Sequence, residues 1–238
     1  MISRRLFLAL TGTTILSSPA SWATNAFPES LDHIILGCNN LNDGIAFVEK
    51  RMGVRAALGG VHPDRGTTNA LLSLGERHYL EILAPDPAAN VVQPWAIPQL
   101  TTLKKLTTPR LITWAAHTGD IDALAIKLRE SGIAIVGPRP GSRTRPDGSV
   151  VRWKTFNLAD DHHGLFPFFI EWNPNSVHPS LDAPQGCNIE SFAAADQNPG
   201  ELSKVFQLME VVIVVENSEK PQLRAKLSGP KSILKLSS

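Results

Sequence analysis

Two apolar runs about ninety residues apart end alike: Tyr79-Leu80-Glu81-Ile82-Leu83-Ala84-Pro85 and Phe168-Phe169-Ile170-Glu171-Trp172-Asn173-Pro174. Each reads as a short strand stopped by a proline, which cannot donate to a sheet ladder. Each also carries one carboxylate among side chains that belong in a core. An ion in such surroundings is costly unless it is paired, hydrogen-bonded or bound to metal. The recurrence therefore implies a duplicated unit whose two acids, Glu81 and Glu171, converge on one site.

The periodicity between these runs supports duplication. Leu31 to Cys38 is a β-rich run, Asn39-Asn40 supplies cap chemistry, and Leu41 to Met52 has helical spacing with Ile45, Val48 and Met52 on one face and Gly53 as the stop. Strand material follows at 54–58, then a Gly59-Gly60 break, a polar loop at 61–66, and strands at 67–74 and 78–83. Five prolines between Ala84 and Pro109 mark a connector with a short helix near Thr101–Leu106. The order then repeats: strand at 111–117, helix at 120–131 closed by Gly132, and strands at 133–136, 149–158 and 165–172. Gly137 to Gly148 reads as a basic flap carrying Arg139, Arg143 and Arg145. A third, shorter echo spans 186–238 and lacks a last strand with an acid, so it is expected to cover a sheet edge.

The fold class expected is therefore α+β: tandem βαβββ modules at 31–85 and 111–174, forming cupped mixed sheets around a cleft, with an incomplete third βαββ module at the C-terminus. The first 23 residues stand apart. Arg4-Arg5 opens a charged segment, an apolar uncharged run reaches Ile15, and Ser21-Trp22-Ala23 offers small residues for cleavage, the pattern of an export signal resembling the twin-arginine type. The expected location is periplasmic or exported, with no stable membrane anchor after signal removal. Losing the signal moves the formal charge from +1 to −1, and nothing in a balance so near neutrality suggests the clustered cationic surface that nucleic acid requires, so none is expected as a partner. Cys38 and Cys187, the only cysteines, form either one disulfide or two buried thiols.

The motifs Leu31-Asp32-His33-Ile34, Gly59-Gly60-Val61-His62, Gly66-Thr67-Thr68-Asn69, Tyr79-Leu80-Glu81 and Pro167-Phe168-Phe169-Ile170-Glu171-Trp172 resemble those of glyoxalase-like domain proteins in the vicinal oxygen chelate superfamily. The resemblance spans roughly residues 31–175, within an expected glyoxalase-like domain at 27–175. It implies a divalent metal (Zn, Ni, Fe or Mn) held by His33, Glu81 and Glu171, with Thr113 where a second histidine is common. Threonine is a poor ligand for such metals, which is a departure from the family pattern. The resemblance further implies a lyase or isomerase acting on a small oxygenated substrate through an enolate, with Glu171 as base. His62, Thr67, Asn69, Thr113 and Arg152 are the candidate substrate contacts, and a homodimer is compatible with the family. Asp160-Asp161-His162-His163 reads as a surface loop. The same scaffold also supports sequestration of a small molecule without chemistry, and extradiol dioxygenases.

Overall fold

A computed structural model describes residues 27–90 and 92–238; the expected export signal at 1–23 lies outside the described residues. The first half contains β1 (Leu31–Gly37), α1 (Leu41–Met52), β2 (Ala57–His62), β3 (Thr67–Ser73) and β4 (Tyr79–Pro85). After a connector with α2 (Ile97–Lys105) come β5 (Arg110–His117), α3 (Ile121–Glu130), β6 (Ile135–Thr144), β7 (Val150–Leu158) and β8 (Phe168–Trp172). Their strands close into one barrel in the order β1-β4-β3-β2-β6-β7-β8-β5. The mixed α+β class and the strand–helix–three-strand order are as the sequence indicates.

Local chemistry explains the helices. Asn40 caps α1 by accepting from the backbone N–H groups of Asn42 and Asp43, and Gly53 ends it in the left-handed region at φ 84°. Asp120 caps α3 through the Ala123 N–H. Ile45, Val48 and Met52 of α1, and Ile121, Leu124 and Leu128 of α3, pack against the outer wall of the barrel.

Two loops expected from glycine content are strands instead. β2 runs straight through Gly59-Gly60, where its register against β3 shifts by a bulge between Leu58 and Gly60. Gly60, at φ 138°, adopts a conformation closed to other residues, and its backbone passes against that of Thr144. The expected flap 137–148 is largely β6, which pairs along β7 from Ile135 to Thr144. β2 and β6 meet through one pair, Val61 with Thr144, which joins the two halves of the barrel.

The C-terminal region also departs from expectation. After α4 (Pro179–Asp182), it forms β9 (Asn188–Asp196), α5 (Pro199–Leu208), β10 (Val214–Asn217), β11 (Gln222–Ser228) and β12 (Ile233–Ser237). These four strands make a separate sheet ordered β10-β9-β11-β12. A closed barrel leaves no edge to cover; the sheet packs on the outside of β5 and α1. Trp114 anchors that layer, fully buried, its ring 5.1 Å from Phe192 and its indole N–H donating to the Leu165 carbonyl at 2.8 Å. Cys38 and Cys187 are free, buried thiols, and burial pushes Cys38 up to about 12.

Candidate active site

Strand alternation decides what faces the barrel interior. On β1 and β4, His33, Ile35, Tyr79, Glu81 and Leu83 point inward, while Ile34, Leu80 and Ile82 pack outward. The interior is a cavity of about 870 Å³. Apolar side chains, Ile35, Leu71, Leu83, Phe168 and Ile170, interleave with the polar His33, His62, Asn69, Glu81 and Arg143; Ile35 and Leu71 flank Glu81 on the neighbouring strands.

Glu81 is the centre of the polar set and is 8% exposed. His33 Nε2 lies 3.6 Å from Glu81 Oε2, and His62 Nε2 lies 4.0 Å from Oε1. The Asn69 amide donates to Oε1 at 2.6 Å, and Asn69 Oδ1 accepts from Arg143 at 3.1 Å. Burial pushes the Glu81 carboxyl up, but the N–H donated by Asn69 and the nearby Arg143 guanidinium help hold it below its ordinary value, so it is ionised. Burial takes His62 down to about 4, leaving a neutral imidazole whose Nδ1 is 3.0 Å from Thr67 Oγ1.

Asp32 orients His33. It sits at a bulge where the β1–β5 register shifts between Leu31 and His33. Despite burial, hydrogen bonds from His178 and His33 hold its carboxyl well below the usual range. An ionised carboxylate only accepts, so the proton on His33 resides on Nδ1, 2.6 Å from Asp32 Oδ1, and Nε2 is left facing Glu81. Trp172 Nε1 at 2.9 Å and His178 Nε2 at 3.2 Å satisfy the other oxygen. Tyr79 stacks on His33 with ring centres 4.4 Å apart, and burial raises its hydroxyl well above its ordinary value.

The structure brings together His33, Glu81, His62, Thr67, Asn69 and Thr113, all of which line the cavity. Glu171 is a correction. Phe168, Ile170 and Trp172 of β8 face the cavity, so Glu171 faces out, where its carboxylate accepts from the Ile121 N–H at the start of α3 at 2.7 Å. Arg152 is a second correction: Trp153 and Thr155 point inward, and Arg152 is exposed on the outer face. Thr113 is paired with Ile35; the residue opposite His33 is Ala115. His33 lies seven residues before the cap Asn40 and Thr113 seven before the cap Asp120, so Thr113 holds the His33 position of the second half. Asp161 and His163, expected at the surface, line the cavity too.

This arrangement does not fit the expected metal. Glu171, which was to complete the set, is turned away, and Thr113 offers only a poorly ligating hydroxyl. Among the described residues, no group of three or more His, Cys, Asp or Glu side chains is spaced to hold a metal ion.

Residues 31–219 match the family model described as "Glyoxalase-like domain". The chain belongs to this glyoxalase-like family. The glyoxalase-like chain is similar in fold to a hypothetical protein from Staphylococcus aureus, at 18% identity and a TM-score of 0.60, covering 87% of this chain and 84% of that one. A methylmalonyl-CoA epimerase from Mycobacterium tuberculosis matches at 21% identity and a TM-score of 0.45, over 64% of this chain and 93% of that one. No curated protein sequence matches it. The glyoxalase-like assignment agrees with the sequence motifs. Asp32, Tyr79 and Arg143 are the site residues that motif matching missed.

Proposed function

We propose that this glyoxalase-like protein is an isomerase or lyase that removes a proton beside the carbonyl of a small oxygenated substrate. The observation that carries the reading is the ionised Glu81 carboxylate in the cavity wall, flanked by His33 Nε2 and His62 Nε2. In the reaction, Glu81 takes the proton from carbon, and the C–H electron pair moves onto the carbonyl oxygen to give an enolate. Return of the proton to carbon gives the isomer; loss of a leaving group gives the lyase product. Substrate entry strips water from Glu81, and desolvation raises its basicity toward that of a useful base. Asp32 and His33 act as an orienting pair, holding Nε2 toward the reacting centre.

This reading assigns no step to a metal, because Glu171 is turned away from the cavity and Thr113 is a poor ligand. Thr113, in the place of a histidine, favours sequestration as the second reading. Solvent-deuterium incorporation into a panel of 2-oxo acids, 2-oxo aldehydes and hydroxy acids tests the choice, run with and without chelator. The expected result is chelator-insensitive exchange that Glu81→Gln abolishes. Binding without exchange would support sequestration, and chelator-sensitive exchange would restore the metal. Export belongs to the proposal, on the strength of Arg4-Arg5 and the apolar run after it; recovery of the full-length chain from the cytoplasm alone would remove it.

A further inference from the structure

The cavity contains a cation with too few partners. Arg143 is 3% exposed, yet among the described residues no carboxylate lies within ion-pair distance of it, and its hydrogen-bond acceptor is the neutral Asn69 Oδ1. A guanidinium carries five N–H donors, and a buried one left mostly unpaired is strongly unfavourable. Tyr79 lines the same cavity, and neither its hydroxyl nor the guanidinium is among the fully buried unpaired atoms, so both reach the open space of the cavity. Burial pulls Arg143 below its ordinary value.

The backbone has been shaped around this side chain. A Cβ on Gly59 would overlap both Arg143 Nη1 and Asn69 Oδ1, and one on Gly60 would collide with the Thr144 carbonyl and press on Arg143 Cγ. The Gly59-Gly60 bulge is therefore a cradle that admits a guanidinium across β2. Such a construction holds the fork in one orientation against the cavity.

We propose that Arg143, with the Tyr79 hydroxyl, is the seat for the carboxylate of the substrate, and that the ligand class is a monocarboxylic acid with an apolar body. The proposal rests on the proposed reaction at Glu81 and names its substrate class. Two oxygens of a carboxylate match the parallel donors of a guanidinium. Charge selects an anion. Arg65, half-buried and over the Trp95 ring, brings a second cation with no acid within ion-pair distance among the described residues. Cations outnumber acids around the cavity, with Arg65, Arg110, Arg143 and Lys220 against Glu81 and Asp161, and the planar fork of Arg143 favours a planar carboxylate over a tetrahedral phosphate. The apolar side chains Ile35, Leu71, Leu83, Phe168 and Ile170, which also line the cavity, receive the remainder of the molecule.

Binding, read without turnover, tests the seat. Phenylacetate, hexanoate and 4-methyl-2-oxopentanoate, each beside its amide, and phenyl phosphate are titrated by calorimetry and by the fluorescence of Trp153 and Trp172, which line the cavity. At least one acid is expected to bind about tenfold or more tighter than its amide, the gain of a charge-assisted pair over a neutral one. Arg143→Met should remove that preference, and Arg143→Lys should recover part of it. Should Arg143→Met not fold, Gly59→Ala, which displaces the guanidinium while keeping its charge, should weaken the acid and leave the amide unchanged. Glu81→Gln should still bind the acid, so parental exchange in Glu81→Gln with acid binding intact sinks the reaction and spares the seat. Equal binding of acid and amide, tighter binding of phenyl phosphate, no binding of any acid, or an unchanged preference in Arg143→Met overturns the proposal.

Discussion

Acidification should weaken this protein through His62 before its carboxylates are touched. Burial lowers the folded-state value from 6.5 to about 4, so the unfolded chain binds a proton that the native state refuses. For a depressed histidine the stability is fully present above the unfolded value and drains away as pH falls from 6.5 toward 4. Linkage then gives a loss of about 2 kcal/mol between about pH 7 and pH 5, rising to about 3 kcal/mol below pH 4. Glu81 and Asp32, both held low, lose their contributions only in the carboxylate range beneath that window. His78, also lowered by burial, adds to the slope in parent and variant alike. Urea unfolding of the parent and His62→Gln at about pH 7 and pH 5 isolates the term, since glutamine can keep a hydrogen bond to Thr67. The variant should lose about 2 kcal/mol less on acidification. Identical losses in the two proteins would refute the buried neutral imidazole.

Other substitutions probe separate links. Asp32→Asn puts an amide that cannot accept all three donors next to His33, Trp172 and His178; it should cost about 2 kcal/mol in thermal or urea unfolding and depress exchange activity as His33 loses its orientation. Trp114→Ala, which removes the ring joining the barrel to the C-terminal sheet, should cost about 3–5 kcal/mol by the same measurement. Arg152→Gln, on the outer face, should leave both stability and carboxylate binding unchanged within error of calorimetry.

The fold was legible because its signals are local. Asn40, Gly53 and Asp120 punctuate helices of clear 3.6 period, and the strand runs between them are short and β-rich. Gly59-Gly60 and Gly137 misled for a physical reason: glycine marks turns, but here it serves a bulge and a close approach between strands, which only the partner strand reveals. The error at Glu171 had a sequence clue. Glu81 lies four residues before its proline and Glu171 three before its own, an odd difference that places them on opposite faces of matched strands. The flanking Phe168-Phe169-Ile170 hid it, being apolar on both faces. Asp32 is adjacent to His33 and should alternate away from it; the bulge that brings them together is set by pairing with β5. Arg143 read as surface charge because nothing in its own segment announces the cradle opposite.

The central claim is that Glu81, not Glu171, is the working carboxylate of this barrel. Solvent-deuterium exchange into one responsive substrate, followed by proton NMR for the parent, Glu81→Gln and Glu171→Gln, compares the two directly. Glu81→Gln should slow exchange by about 100-fold or more, the usual contribution of a positioned base. Glu171→Gln should exchange at the parental rate while losing about 0.5–1 kcal/mol of stability through its contact with the first turn of α3. Parental exchange in Glu81→Gln, or its loss in a folded Glu171→Gln, would contradict the account.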